Sequence, residues 1–196
     1  MATITYPSTP KAQGMSWRLV MPTQTNVSEW TGRRQTIASG RGWWECKITL
    51  PPIVGTTNIN AWRAFTAKSR GGANDFQIPV DPTAQSTSSA TPSVNGANQT
   101  GRQLNTDGWT PSTTPLVAGQ FVTINNQLLQ LTENVTVNGS GVATLTFEPS
   151  IRVSPSDNAA IEYKNPFCLM YLIEEPTFSV EMGYVYNLSL NLRESF

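Results

Sequence analysis

Carboxylates are the side chains of this sequence whose chemistry could serve an enzyme, because a pair of them can hydrolyse a glycosidic bond. Glu174 and Glu175 are adjacent on an expected strand, where successive side chains point to opposite faces, so they should not share a cleft. The structural alternative is that the glutamates are rim charges and strand-end residues that discourage edge pairing. The candidates considered are Glu45, Glu148, Glu162, Glu174, Glu175 and Glu181.

Histidine is absent from the sequence. Its absence excludes Ser-His-Asp and Cys-His catalysis and the zinc sites built on histidine. Cys46 and Cys168 are too far apart in sequence for a Cys-x-x-Cys site, and both lie in apolar runs that predict buried free thiols rather than a disulfide. We find no nucleotide-binding glycine motif. The sequence therefore predicts a protein that is not an enzyme and that has no catalytic residues, metal or cofactor.

Six tryptophans could bind either sugars or another protein, since exposed aromatic side chains serve both purposes. Without a cluster of polar partners around them, a protein interface is favoured. Three of them fall on apolar faces and are expected in the core: Trp17, Trp44 and Trp62. The candidate interface residues are Trp30 and Trp109 beside turns, Trp43 on a polar face, and Asn125 and Asn126 at a predicted hairpin turn.

The stretch SGRGWWECKITLPP, residues 39–52, shows how two adjacent tryptophans can differ in role. In a strand, alternate side chains share a face. Trp44 then lies with Cys46, Ile48 and Leu50 on a core face. Trp43 lies with charged and polar residues on the opposite face, where we expect another protein surface.

The composition argues against a nucleic-acid-binding protein and against a membrane protein. The 196 residues are 38% hydrophobic and only 13% charged, and the formal net charge is zero. Binding to nucleic acid through phosphate neutralisation is therefore not expected, and near-zero charge removes the repulsion that keeps monomers apart. No apolar stretch is long enough to insert into a membrane. The N-terminal MATITYPSTPKAQG lacks the pattern of a secretory signal, which predicts synthesis in the cytoplasm and use without export.

The elements that must position these residues are mainly strands. One helix is predicted over residues 57–70, capped by Thr57 or Asn58, with Ile59, Trp62 and Phe65 on its buried stripe. Strands near both chain ends, with a β-rich unit between them, predict one sheet system over 1–80 and 164–196 that is interrupted by an insertion. Pro79 suggests that the strand containing it lies at a sheet edge. A short strand is predicted around Gln35–Ala38. The C-terminal run EMGYVYNLSLNLRESF alternates as one long strand, and one of its faces carries Met182, Tyr184, Tyr186, Leu188, Leu190 and Leu192.

Two segments make up the predicted insertion. Residues 81–107 contain few hydrophobic residues and are expected to be a polar linker or a strap across a partner. Residues 108–163 contain alternating runs joined by turns, including Asn125–Asn126 and VNGSG, which predict a small inserted β-barrel or sandwich domain. The predicted fold class is thus mainly β: a β-sandwich-like domain with one short α-helix, plus the inserted β domain.

Several segments, in order, resemble the distal-tail or minor tail proteins of long-tailed bacteriophages. They are GRGWWECKITLPPI, AWRAFTAKSRGGANDFQIPVDP, VNGANQTGRQLNTDGW, the run from LVAGQFVTINNQLLQL to AAIEYKNP, and YVYNLSLNLRESF. The resemblance covers residues 30–196, and its most recognisable part is GQFVTINNQLLQL followed by NGSGVATLTFEP. It implies a structural virion protein of the tail tip, without catalytic residues, that forms a homo-oligomeric ring, usually a hexamer.

Such a ring would connect the tail tube protein to the hub, tip or baseplate proteins. In this interpretation the sheet system with the helix forms the ring, and the inserted domain projects towards neighbouring proteins. The alternative is a non-catalytic host-receptor or carbohydrate-binding module of a phage tail, which the surplus tryptophans and the Asn- and Thr-rich β unit favour.

Overall fold

The computed structural model describes residues 2–183 and 185–196, which form two compact units. Unit 1 comprises residues 1–19, 44–78 and 168–196, and unit 2 comprises residues 20–43 and 79–167. The chain thus leaves unit 1 and returns to it twice. Each unit is described by itself.

Sixteen strands and one α-helix are found in the described residues, so the predicted mainly β, sandwich-like class with one short helix is confirmed. The helix α1 spans Thr56–Ser69 and is followed by a 3-10 turn at Arg70–Gly72. The strands are β1 Thr3–Ile4, β2 Gly14–Val20, β3 Thr23–Val27, β4 Arg34–Ala38, β5 Trp43–Thr49, β6 Ile53–Val54, β7 Asp75–Pro79, β8 Ser93–Val94, β9 Gly101–Asp107, β10 Phe121–Ile124, β11 Gln127–Leu131, β12 Ala143–Ile151, β13 Phe167–Leu172, β14 Ser179–Glu181, β15 Val185–Asn187 and β16 Ser189–Glu194.

A six-stranded sheet with the order β1-β7-β13-β16-β5-β2 joins the N-terminal and C-terminal parts of the chain. Strand β16 pairs antiparallel with β5, so that Leu190 lies opposite Ile48 and Leu192 opposite Cys46. All four side chains are buried. The period-2 pattern therefore placed the core face of both strands correctly, because a one-residue slip would turn these side chains to the other face.

Helix α1 packs its predicted stripe of Ile59, Trp62 and Phe65 into the core of unit 1. Tyr6 contacts both aromatic rings edge-on, with centroid distances of 5.3 Å to Trp62 and 5.7 Å to Phe65. Offset and edge-on arrangements are those that aromatic quadrupoles favour. The predicted N-cap is wrong, since the helix begins at Thr56 after Gly55 and has no side-chain cap.

Unit 1 also contains a three-stranded sheet with the order β14-β15-β6. The sequence predicts one long alternating strand here, with Met182 on the same face as Tyr186 and the leucines. Instead Met182 lies in a turn and is fully exposed, while Tyr186 and the alternating leucines of β16 are buried. Tyr184, predicted on the same face, lies outside the described residues. Gly183, with a φ of 88°, permits the turn that the alternating pattern concealed.

The edge position predicted from Pro79 is wrong, because β7 lies between β1 and β13. Strand β1 has only two residues, and it pairs with β7 at Asp75 and Phe76. Pro79 lies beyond this pairing. Its missing N–H therefore interrupts no hydrogen bond with β1, which explains how a proline is tolerated inside the sheet.

Unit 2 is built on a five-stranded sheet with the order β10-β11-β12-β9-β8. Strands β8 and β9 come from the segment 81–107, which the sequence predicts to be a polar linker or strap. That prediction is wrong: Val94, Leu104 and Thr106 are fully buried, and β9 pairs with β12 along its length. The unit also begins earlier than the predicted boundary at residue 108 and includes residues 20–43.

The predicted turns at Asn125–Asn126 and VNGSG are present in unit 2. Asn125 and Asn126 have φ values of 49° and 63° and connect β10 to β11, with Ile124 opposite Gln127. Two successive positive φ values define the type I′ turn that matches the twist of a hairpin. At the second turn, Gly141 has a φ of 77°, and an added Cβ would meet the Trp109 carbonyl oxygen at 2.8 Å. Only glycine fits this position without strain.

Candidate interaction surface

Five of the candidate glutamates accept hydrogen bonds or form ion pairs within their own unit. The closest ion pair joins Glu148 to Arg102 at 2.8 Å, and a looser one joins Glu45 to Arg18 at 3.6 Å. The other three carboxylates accept hydrogen bonds: Glu162 from the backbone N–H groups of Lys164 and Asn165, Glu174 from the Asn191 amide, and Glu181 from the Asn187 amide. These contacts fit the structural alternative for the glutamates.

Glu194 is a buried carboxylate that the sequence reasoning missed. Its side chain is completely inaccessible, and its Oε2 accepts a hydrogen bond of 3.0 Å from the backbone N–H of Trp44. The bond joins the C-terminal strand to β5. Its position could have been inferred, because Leu190, Leu192 and Glu194 share one face of an alternating strand.

Cys46 and Cys168 are free and buried, as the sequence predicts. Burial raises the pKa of the Cys46 thiol to about 12. Burial of the Tyr6 hydroxyl likewise raises the pKa of that group, and the nearby Cys46 adds to the increase. A thiol with so high a pKa is protonated at neutral pH and is a poor nucleophile. Among residues 2–183 and 185–196, no group of three or more acidic, cysteine or histidine side chains could hold a metal ion.

The tryptophans differ widely in exposure. Trp44 and Trp62 are buried and Trp17 is half-buried, and Trp17 contacts Trp44 edge-on at 6.4 Å. Trp109 is also buried, and its indole N–H donates to Thr106. The interface role predicted for Trp109 is therefore wrong, because no face of its indole remains for a partner.

The other candidate interface residues remain accessible to different degrees. Trp43 is half-buried, whereas Trp30 is 97% exposed. Asn125 and Asn126 are exposed at the tip of their hairpin. Their positive φ values already explain why asparagine stands at both positions, because it is the residue after glycine that best tolerates this conformation. Trp30 is therefore the most accessible of the three candidate interface tryptophans.

Trp30 lies at the tip of an exposed β-hairpin, residues 23–39, which we call the arm. Its strands β3 and β4 pair with each other from Thr23 opposite Ala38 to Val27 opposite Arg34. Every residue of the arm is exposed, including Val27 at 60% and Ile37 at 62%. The arm therefore has no buried face. The sequence suggests only its second strand, because Thr, Gln and Asn along the first strand give no hydrophobic alternation.

The arm is closed by local hydrogen bonds. The Ser28 N–H donates to the Arg33 carbonyl, the Gly32 N–H donates back to the Ser28 carbonyl, and Thr25 and Thr36 hydroxyls lie 3.2 Å apart across the strands. At its base, the Ser39 N–H donates to the Pro22 carbonyl. An isolated two-stranded hairpin is at best marginally stable in water. A second surface covering the arm would offset that weakness.

A second exposed surface lies in unit 1 over residues 173–182, which we call the acidic edge. It includes β14, whose position at the end of its sheet leaves one side of the strand without a neighbour in that sheet. The apolar side chains Ile173, Val180 and Met182 are 48%, 57% and 101% exposed. Three carboxylates are interspersed with them: Glu174, Glu175 and Glu181.

Neither comparison with known proteins identifies a family: no protein-family model and no curated protein matches this chain. Within the described residues, no helix has the length and apolar character needed to cross a bilayer.

Proposed function

We propose that this chain is a structural virion protein of a bacteriophage tail that assembles with copies of itself. In this proposal it forms a homo-oligomeric ring, expected to be a hexamer, at the distal end of the tail tube. The ring joins the tube protein to the hub, tip or baseplate proteins. The chain contributes no catalysis and needs no cofactor.

The observation that carries this proposal is the arm, whose 17 residues from 23 to 39 are all exposed. A polar ribbon with Trp30 at its tip gains little by folding alone, since it buries almost no apolar surface. Burial against another protein would supply that missing stabilisation. The ordered sequence segments that resemble distal-tail and minor tail proteins supply the biological setting.

The low charge content supports assembly rather than a freely diffusing monomer. Only 13% of residues are charged, about half the share of an average soluble protein, and the net charge is zero. Copies of such a chain repel one another weakly. Ring closure then requires one heterologous contact, repeated around an axis.

Two measurements test the proposal. Size-exclusion chromatography with light scattering, followed by negative-stain imaging, should give closed rings or short tubes for the purified chain or for its mixture with tail tube protein. Labelling of intact virions with an antibody should place the chain at the distal end of the tail. A chain that stays monomeric both alone and with tail tube protein, and that is absent from virions, would overturn the proposal.

A receptor-binding or carbohydrate-binding module of the tail is a second candidate, and Trp30 is the observation that favours it. An exposed indole on a hairpin that also carries Asn, Gln and Thr side chains can stack on a sugar ring while amides bind its hydroxyl groups. A glycan array distinguishes the two. Binding that is lost in Trp30→Ala, from a chain that remains monomeric, would favour the module over the ring.

A further inference from the structure

The arm and the acidic edge carry charges of opposite sign. Residues 23–39 contain Arg33, Arg34 and Glu29, for a formal charge of two minus one, or +1. Residues 173–182 contain three glutamates and no basic residue, for a formal charge of −3. Surfaces of opposite charge attract each other. This attraction contributes more to the choice of partner surface and its register than to affinity.

Exposed apolar side chains accompany the charges on both surfaces. Val27, Trp30 and Ile37 are at least 60% exposed on the arm. Ile173, Val180 and Met182 are at least 48% exposed on the acidic edge. Aromatic residues and methionine are enriched in protein interfaces, where they are buried at the centre while charges lie around the rim. Each surface therefore has the composition of one half of an interface.

We infer that the arm of one copy docks on the acidic edge of a second copy, with Arg33 and Arg34 facing Glu174, Glu175 and Glu181. The inference rests on the proposed self-assembly and names the two surfaces that would perform it. Contact between two arms is disfavoured, because it would bring arginines together, and contact between two acidic edges would bring six carboxylates together. Opposite surfaces on one chain give a head-to-tail contact, which generates a ring or a filament rather than a closed two-fold dimer.

Charge reversal tests this pairing directly. Arg33→Glu combined with Arg34→Glu changes the arm from +1 to −3, and Glu174→Lys combined with Glu175→Lys changes the acidic edge from −3 to +1. Either double variant alone should lose self-association in sedimentation velocity over a concentration series. An equimolar mixture of the two should assemble again, because each reversed surface meets a surface of opposite sign on the other variant.

Two controls separate this contact from a general effect of charge. Asp81→Lys combined with Glu133→Lys changes the net charge as much as the reversal of the acidic edge, but at exposed positions outside both surfaces. It should assemble like the wild type. Circular dichroism and thermal unfolding should show that all variants are folded. Raising the ionic strength from about 0.05 M to about 0.5 M should weaken wild-type assembly, since salt screens exposed charges.

The outcomes distinguish this inference from the proposed function. If the wild type assembles and each reversal variant alone also assembles, the pairing is wrong, although the chain self-assembles. The same conclusion follows if the wild type assembles but the mixture of the two variants stays monomeric. If the wild type is monomeric at every concentration, the pairing is wrong as well. Absence of the chain from virions would then reject the proposed function too.

Discussion

Neighbouring tryptophans at positions 43 and 44 have different environments because adjacent side chains of a strand point to opposite faces. Trp44 is 3% exposed and contacts Trp17, whereas Trp43 is half-buried. Since both residues are tryptophan, the same substitution can be made at each. The two variants therefore compare a core indole with a surface indole in one strand.

Trp44→Ala should lower the free energy of unfolding by about 3–5 kcal/mol, because it removes a buried indole and leaves a cavity. Trp43→Ala should lower it by only about 1–2 kcal/mol, because less apolar surface is lost, and should impair self-assembly more than folding. Urea unfolding and sedimentation velocity measure the two effects. Equal losses of stability would show that Trp43 is also a core residue.

The buried thiol of Cys46 predicts that the free energy of unfolding depends on pH. Its pKa is raised from 9.0 to about 12 by burial, so between these values the thiol ionises in the unfolded chain but stays protonated in the folded one. The folded state then binds more protons, and stability falls as pH rises above about 9. Below about pH 9 the thiol is protonated in both states, and its contribution to the stability of the folded state is fully present.

Urea midpoints measured between pH 7 and about pH 11 should therefore decline in the wild type, and the decline should be shallower in Cys46→Ala. The alanine variant is the control for groups that titrate in this range independently of Cys46. Parallel declines in both proteins would contradict a raised pKa at Cys46.

The hairpins of unit 2 show where local sequence is sufficient. Asn125 and Asn126 occupy the two positive-φ positions of a turn between β10 and β11. Glycine is the residue most favoured at the second of these positions in a type I′ turn. Because a residue with a Cβ other than asparagine or aspartate is strained there, the turn's stability depends on position 126.

Asn126→Ala should lower the free energy of unfolding by about 1 kcal/mol, whereas Asn126→Gly should maintain or increase it. Urea denaturation of the two variants and the wild type measures the difference. A loss of equal size with glycine would show that the asparagine side chain, rather than its backbone conformation, stabilises the turn.

The arm shows where local sequence is insufficient. Its strands have no hydrophobic alternation, and their pairing is visible only once β3 and β4 are placed side by side. The acidic edge was concealed for a related reason: alternation continues through Met182 and Gly183, although the chain turns there. Both elements are exposed, and exposure removes the hydrophobic pattern on which strand prediction depends.

At the scale of the whole molecule, unit 2 has a hydrophobic core of its own. The core of unit 2 is formed by fifteen buried residues between Val94 and Tyr163, within the continuous segment 79–167. Unit 1 is assembled from three stretches that are distant in sequence. A continuous segment with its own core is expected to fold alone.

A fragment of residues 79–167 should therefore unfold cooperatively, and Trp109, its one tryptophan, should report burial through blue-shifted fluorescence. Phe147→Ala in this fragment should cost about 3–5 kcal/mol, since Phe147 is 1% exposed. Urea denaturation followed by tryptophan fluorescence measures both the cooperativity of the fragment and the stability lost in Phe147→Ala. Red-shifted emission without a transition would show that the core depends on residues outside the segment 79–167.

The sequence by itself determined the mainly β class, the helix with its buried stripe, the faces of β5 and β16, and the Asn125–Asn126 turn. Each depends on periodicity or on the φ preference of one residue, which are local properties. Only the tertiary structure decided that residues 81–107 contribute sheet strands and that Trp109 is buried. It also revealed the arm and the acidic edge, because the exposure of a polar or sparsely apolar segment depends on which distant strands pack against it.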